Sequence, residues 1–166
     1  YSQADVNHDH YARLTELKLP TVLVNAPIDD LGFATVSCDD ATSMEQAFGH
    51  LVQLGHERIG ILLGPSDHIP SRRKHAAALR MAERHGVELG EDRVVHSLYS
   101  LESGQTAATK LLAAGVTGII CASERSASGY ILNRSISALA CAGSSSSARK
   151  PIATFVVGER ITKSDG

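Results

Sequence analysis

The chain has 166 residues, a formal net charge of −2, and 43% hydrophobic but only 4% aromatic residues. This length fits one domain or two small ones with a buried core, and the near-neutral charge gives no sign of a basic surface for nucleic acid. No run of about 18 apolar residues predicts a membrane span, no leader pattern predicts export, and three widely spaced cysteines fit a reducing cytoplasm better than a disulfide framework.

The apolar pattern predicts short strands that alternate with longer helices. Strands are predicted at residues 19–25, 33–37, 58–63, 94–98, 118–122 and 152–158. Helices are predicted along the apolar stripe 44–52, over 71–85, along 104–112 and over 124–140. Asp40 or Thr42 is expected to cap the first of these helices. Gly55, Gly86 and Gly115 stand where glycines commonly end a helix.

This alternation predicts the α/β class and an open, doubly wound parallel sheet. Sheets of this kind bind ligands at the carboxyl ends of their strands. The candidate site therefore lies in the loops that follow Val24, Leu63, Leu98, Ala122 and Val157.

Motifs for catalysis, cofactors and metals are absent from the sequence. It contains no GxGxxG, GxxxxGK[ST], GxSxG, HExxH or CxxC. We therefore expect no catalytic residue, no cofactor and no metal ion. Among the histidines, His8 and His10 are interpreted as part of a solvated segment, and His56 as a structural residue at a helix end.

Three cations, Arg72, Arg73 and Lys74, open the second predicted helix. Positive charge at a helix N-terminus opposes the helix dipole. The cluster indicates either a polar or carboxylate-bearing partner or a solvated basic turn. Tyr99, which follows a predicted strand, is either a ring for stacking on a ligand or a packing residue.

The segment HLVQLGHERIGILLGP, residues 50–65, resembles the pattern HL..LGH..I..L.GP of LacI/GalR-type bacterial transcription regulators. Shorter segments agree: PTVLVN at 20–25 resembles the strand PVVLVD, and CASE at 121–124 resembles AND in the family's ANDxxAxG. SG at 103–104 resembles the family's SG...A...LL, and IATFVVG at 152–158 its VSVVGFDD. The resemblance runs from residue 17 to residue 131, and weakly to residue 158.

The resemblance implies an effector-binding domain of the periplasmic-binding-protein-like type I fold, in which two α/β subdomains flank a ligand cleft. Residues 1–36 would be the end of the N-terminal subdomain and residues 37–166 the C-terminal one. It implies a cytoplasmic homodimer that binds a small polar effector, a sugar or a nucleobase. Effector binding would change operator affinity through a two-state change. Operator DNA would be bound only through a helix-turn-helix, which is not among these residues.

The resemblance also implies effector-binding residues. Lys74 falls at the family's effector-binding arginine, with Ala77 in place of the pattern's glycine, and Arg73 or Arg72 takes that role in a shifted register. A lysine there replaces a planar fork with a point charge.

Four further residues are carried over: Asn25, Tyr99, Ser123 and Arg160. Asn25 follows a strand at a polar ligand position, Tyr99 matches an aromatic position at the ligand, and Ser123 replaces the asparagine of AND. Arg160 falls on the family's ligand-binding aspartate, which is a charge reversal.

Two other classes share this fold. A solute-binding protein of a sugar transporter would need an export signal, and the LGH..I segment favours the regulator. A doubly wound enzyme would need a nucleophile–base pair or a cofactor loop at the strand ends, and the sequence shows neither. We therefore expect a non-enzyme.

Overall fold

The computed structural model describes residues 9–24, 32–123, 125–129, 153–156 and 161–163. Its elements in chain order are α1 (Asp9–Glu16), β1 (Val22–Val24), β2 (Ala34–Cys38), α2 (Asp40–Gln53), β3 (Ile59–Leu63), α3 (Ile69–His85), β4 (Val94–His96), α4 (Leu101–Ala113), β5 (Gly118–Cys121), β6 (Ala153–Val156) and β7 (Ile161–Lys163). A 3₁₀ turn, Glu91–Arg93, precedes β4, and residues 125–129 are helical.

Four strands form a parallel sheet in the order β4-β3-β5-β6. Ile61 of β3 pairs with Val94 of β4 on one side and with Ile120 of β5 on the other. Ile120 in turn pairs with Phe155 of β6. The order reverses at β3, since β4 lies on one side of it and the later strands lie on the other. The predicted doubly wound parallel sheet is therefore confirmed.

Helices cover both faces of this sheet. Ile61 and Leu63 belong to a core with α2 and α3, whereas Leu62 belongs to a core with α4. The helical residues of the first core are Met44, Phe48, Leu51, Ala77, Ala78, Met81 and Ala82. Those of the second include Ala107, Ala108, Leu111 and Ala127. Burial on both faces explains why β3 is a continuous apolar run.

A second, smaller sheet has the order β1-β2-β7. β1 and β2 are parallel, and β7 pairs antiparallel with β2, for example Thr162 with Ser37. β2 leads directly into Asp39 and α2, so the chain passes here from one sheet to the other. The subdomain boundary at residues 36 and 37 stays a prediction, and it falls within β2.

The helix ends confirm most of the expected signals and correct one. Gly55 and Gly86 have positive φ values of 76° and 64° after α2 and α3. The expectation that Asp40 or Thr42 caps α2 is wrong. Asp39 is the N-cap, and its Oδ1 accepts a hydrogen bond from the backbone N–H of Thr42 at 2.9 Å. The helix begins at Asp40, so the residue before it has the side chain that can reach back.

The remaining predicted boundaries differ by a few residues. α3 begins at Ile69 and not at residue 71, and β4 ends at His96 and not at residue 98. Of the predicted helix 124–140, the described part is 125–129. In the described ranges, no helix has both the length and the apolar character to cross a membrane.

Alanine substitutions at two helical glycines should change the free energy of unfolding in opposite directions. A Cβ on Gly104 of α4 would lie 2.6 Å from the backbone oxygen of Ser126, whereas one on Gly49 of α2 would meet only Met81 Cε, at 3.7 Å. Alanine in a helix interior is more stable than glycine by about 0.5–1 kcal/mol. We expect Gly49→Ala to raise the free energy of unfolding by about that amount. Gly104→Ala should lower it by about 1–3 kcal/mol.

Urea unfolding of both variants checks this prediction. Because both glycines lie inside helices, the propensity gain is shared and the difference isolates the contact at Ser126. Equal stabilisation by both substitutions would contradict the close approach of α4 to the helical turn 125–129.

Candidate functional site

The candidate site lies at the carboxyl end of the parallel sheet, where β3 and β5 meet. Strand order reverses between these two strands, and ligands of open α/β sheets bind at that switch point. Gly64 follows β3, and Ala122 follows β5 with its N–H bonded to the carbonyl of Leu62 at 2.8 Å. The neighbouring groups come from the end of β4 and from the first turns of α2 and α3.

Tyr99, predicted at the ligand, lies over the end of β3. Its hydroxyl is 3.3 Å from the Oγ of Ser71, in the first turn of α3. A Cβ placed on Gly64 would overlap the Tyr99 hydroxyl oxygen, so the ring occupies the space above that glycine. The ring of His68 lies 6.0 Å from the Tyr99 ring between centroids, tilted by 35°. Tyr99 is thus in contact with both β3 and α3.

Lys74, predicted as the effector-binding cation, forms an ion pair with Asp40. The distance from Nζ to Oδ1 is 2.5 Å, and the two side chains are only 11% and 6% exposed. The pair joins the N-terminal part of α3 to the first residue of α2. The sequence pattern carried no signal for this partner, because Asp40 lies 34 positions away along the chain.

The pKa of Asp39, the N-cap of α2, is lowered mainly by hydrogen bonds from the backbone N–H and the hydroxyl of Thr42, and to a smaller extent by the charge of Arg73. Arg72 is exposed. The basic cluster therefore has a carboxylate-bearing partner within the protein, at α2, which is one of the two interpretations left open by the sequence.

Ser123, the remaining predicted residue that the structure describes, has hydrogen bonds within its own segment. Ser123 caps the helical turn that follows it, since its Oγ donates to Ser126 Oγ at 2.9 Å and accepts from the Ser126 N–H at 3.2 Å. It stands after β5, on the predicted edge. Asn25 and Arg160 lie outside the described residues. The assignment to an effector site stays a prediction for Asn25, Arg73, Lys74, Tyr99, Ser123 and Arg160.

Sequence reasoning missed two histidines at this edge. His96, the last residue of β4, donates from Nδ1 to the carbonyl oxygen of Gly64 at 2.8 Å. His75 of α3 packs against it with ring centroids 5.7 Å apart and planes at 73°. Burial, and secondarily the nearby His96, lowers the pKa of His75 below 6.5. The available signals were the position of His96 within a predicted strand that leads to the candidate site and the position of His75 next to Lys74.

Other polar groups serve the fold. His56 is buried, and its Nδ1 lies 3.1 Å from the hydroxyl of Thr117, which links the end of α2 to β5. Burial raises the pKa of Cys121 to about 12, so its thiol stays protonated and unreactive. Within the described ranges, no three histidine, cysteine or acidic side chains converge to hold a metal ion.

An open groove of about 520 Å³ runs beside the outer edge of β4. It is lined by Glu91, Asp92, Val94, Val95, His96, Lys110 and Ala114. Of these residues, His96 also contacts the loop after β3, through its hydrogen bond to the carbonyl oxygen of Gly64.

The strand order and the helical layers fit an α/β domain of the periplasmic-binding-protein-like fold. A family model described as periplasmic binding proteins and sugar binding domain of LacI family matches residues 2–141. The chain belongs to this family, which confirms the resemblance found in the sequence.

Known proteins agree with this assignment. An HTH-type transcriptional regulator in the aml 5′ region of Streptomyces limosus is 41% identical over 133 residues, which are 77% of this chain and 38% of that regulator. The chain thus spans about two fifths of the length of this relative.

Two solved structures share the fold. A sugar-binding transcriptional regulator of the LacI family from Escherichia coli, complexed with phosphate, has a TM-score of 0.73 and 18% identity over 90% of this chain and 52% of its own. The transcriptional regulator CelR in complex with cellobiose has a TM-score of 0.66 and 19% identity over 89% of this chain and 51% of its own.

Removal of one partner of the Lys74–Asp40 pair should destabilise the protein strongly. Lys74→Met leaves a buried carboxylate without its cation, and we expect the free energy of unfolding to fall by about 3–5 kcal/mol. The double variant Lys74→Met/Asp40→Leu should lose less than Lys74→Met alone, because no uncompensated charge remains. Urea unfolding of these two variants, of Asp40→Leu and of the unchanged protein completes the double-mutant cycle, and additive losses would contradict a buried, coupled pair.

Stability should also depend on the protonation of His75. Its folded-state pKa is below the unfolded value of 6.5, so the unfolded chain binds more protons as the pH falls. The free energy of unfolding should therefore decrease between pH 7 and pH 5, and His75→Gln should flatten part of that decrease. His85→Gln, at an exposed histidine of the same helix, is the control. An unchanged slope in His75→Gln would exclude this contribution.

Proposed function

We propose that this chain is the effector-sensing part of a LacI-family transcription regulator and that it binds a small neutral sugar at the carboxyl end of β3. One observation carries the proposal: the ring of Tyr99 and the buried Lys74–Asp40 ion pair both contact the same face of α3. Ser71, which contacts Tyr99, and Lys74, which pairs with Asp40, are three residues apart and so share a helix face.

This arrangement suits a polyhydroxylated ring. A sugar presents apolar C–H faces that stack on an aromatic ring, and hydroxyl groups that both donate and accept hydrogen bonds. Lys74 offers donors and Asp40 offers acceptors side by side. Because the two charges compensate each other at 2.5 Å, the pair favours a neutral ligand over an anionic one.

The names of the similar proteins support the same class of ligand. The regulator from E. coli is described as sugar-binding, and CelR was solved with cellobiose. That the relatives are transcriptional regulators favours this function over a transporter solute-binding protein. We further propose a cytoplasmic, non-enzymatic homodimer, in which effector binding changes operator affinity through a helix-turn-helix elsewhere in the full-length regulator.

Sugar binding by this chain tests the proposal. Thermal-shift assays with cellobiose, maltose, glucuronate and adenine identify the ligand class, and calorimetry gives the affinity. We expect a neutral sugar to bind and glucuronate and adenine to bind more weakly or not at all. Stabilisation by adenine alone would replace the sugar with a nucleobase.

Substitution of Lys74 tests whether this residue contacts the sugar. Loss of a charged hydrogen bond costs about 1.5–3 kcal/mol, so Lys74→Ala should weaken sugar binding by at least about tenfold. Lys110→Ala, at an exposed lysine of α4, is the matched control and should bind normally. Unchanged affinity in folded Lys74→Ala would remove Lys74 from the site.

A further inference from the structure

Gly64 is a glycine for a reason other than backbone conformation. The described glycines with positive φ are Gly32, Gly55, Gly86 and Gly115, and Gly64 is not among them. A side chain at residue 64 would meet the ring of Tyr99, because an added Cβ would overlap the hydroxyl oxygen and Cζ of that ring. The absent side chain thus makes room for the phenol end of Tyr99.

Ser71 supports the same ring from α3. Its side chain is only 1% exposed, and its Oγ lies 3.3 Å from the Tyr99 hydroxyl. A buried hydroxyl without a hydrogen-bond partner is costly, so this contact favours one orientation of the ring. The contact also directs the Tyr99 hydroxyl towards the protein.

The loop below the ring is itself held in place. His96 donates to the carbonyl oxygen of Gly64 at 2.8 Å, and the backbone N–H of Ser97 donates to the carbonyl of Leu63 at 3.0 Å. The end of β3 is therefore bonded to the segment that carries Tyr99. The ring, its hydroxyl contact and the glycine beneath it form one unit built from β3, β4 and α3.

We propose that Gly64 and Ser71 are positioning residues that hold the Tyr99 ring over the end of β3, so that Tyr99 recognises the effector through its ring and not through its hydroxyl. The part of this proposal that concerns the effector rests on the proposed function. The part that concerns the ring is independent of any ligand.

The ring is tested first without a ligand. The chain has four tyrosines, so 3-fluorotyrosine labelling gives a small set of fluorine signals, and Tyr99→Phe assigns the one from Tyr99. We expect Ser71→Ala and Gly64→Ala to shift the Tyr99 signal and leave that of Tyr11 unchanged. Ser66→Ala, at an exposed serine of the same loop, is the control. An unchanged Tyr99 signal in Ser71→Ala would overturn the positioning role.

The effector part is tested with cellobiose, or with whichever neutral sugar of the panel binds, by calorimetry. Ser71→Ala and Tyr99→Phe break the same contact, so each should weaken binding by a similar factor of about two to ten. The double variant should be no weaker than either single one. Tyr99→Ala should lose more than either, because the ring itself is gone.

The outcomes separate the two proposals. A much larger loss in Tyr99→Phe than in Ser71→Ala would mean that the hydroxyl contacts the effector, and would overturn this inference while sugar binding stands. Binding of no sugar would overturn the proposed function and the effector part with it, whereas the fluorine signals would still decide the positioning role. If Gly64→Ala does not fold, Ser71→Ala carries the fluorine test, and Ser71→Ala together with Tyr99→Phe carries the binding test.

Discussion

The ion pair between Lys74 and Asp40 joins the N-terminal part of α3 to the start of α2, and the rest of the candidate site depends on that contact. Both side chains are nearly removed from water, so each charge needs the other. Ser71 stands one helical turn before Lys74, and its contact with Tyr99 extends the linkage to the segment after β4. The start of α2, the start of α3 and the segment after β4, which are distant in sequence, are therefore linked by direct contacts at the carboxyl edge of the sheet.

The same pair resolves an electrostatic conflict at the start of α3. Three cations next to a helix N-terminus are unfavourable for the helix dipole, and His68, at the N-cap position, gives no side-chain hydrogen bond to the first turn. Asp39 and Asp40 supply the opposing charge from α2, where the dipole itself favours carboxylates. The pKa of Asp39 is lowered mainly by its hydrogen bonds with Thr42 and to a smaller extent by the charge of Arg73. The charges of the two helix ends are thus complementary.

Much of the fold was predictable from the sequence because its signals are local. The buried run of β3, the stripe of α2 and the glycines after the helices each specify their element within a few residues. The family-like segment 50–65 mainly encodes structure: Leu51 is core, Gly55 ends α2, and His56 bonds to Thr117. That is why it identifies the family and the fold but not the effector.

The contacts that build the site were not predictable in the same way, because they join residues far apart in sequence. Asp40 and Lys74, or Ser71 and Tyr99, meet only after the strand order of the sheet is set, and the antiparallel pairing of β7 with β2 has no local signal either. The sequence placed Lys74 and Tyr99 at the strand ends but could not show that a carboxylate compensates Lys74 or that Gly64 and Ser71 receive the Tyr99 hydroxyl. In this site the charges are paired and the aromatic ring is held in place before any ligand binds, so little conformational entropy is lost when a neutral ring binds. This pre-organisation favours a sugar over a ligand that would have to break the ion pair.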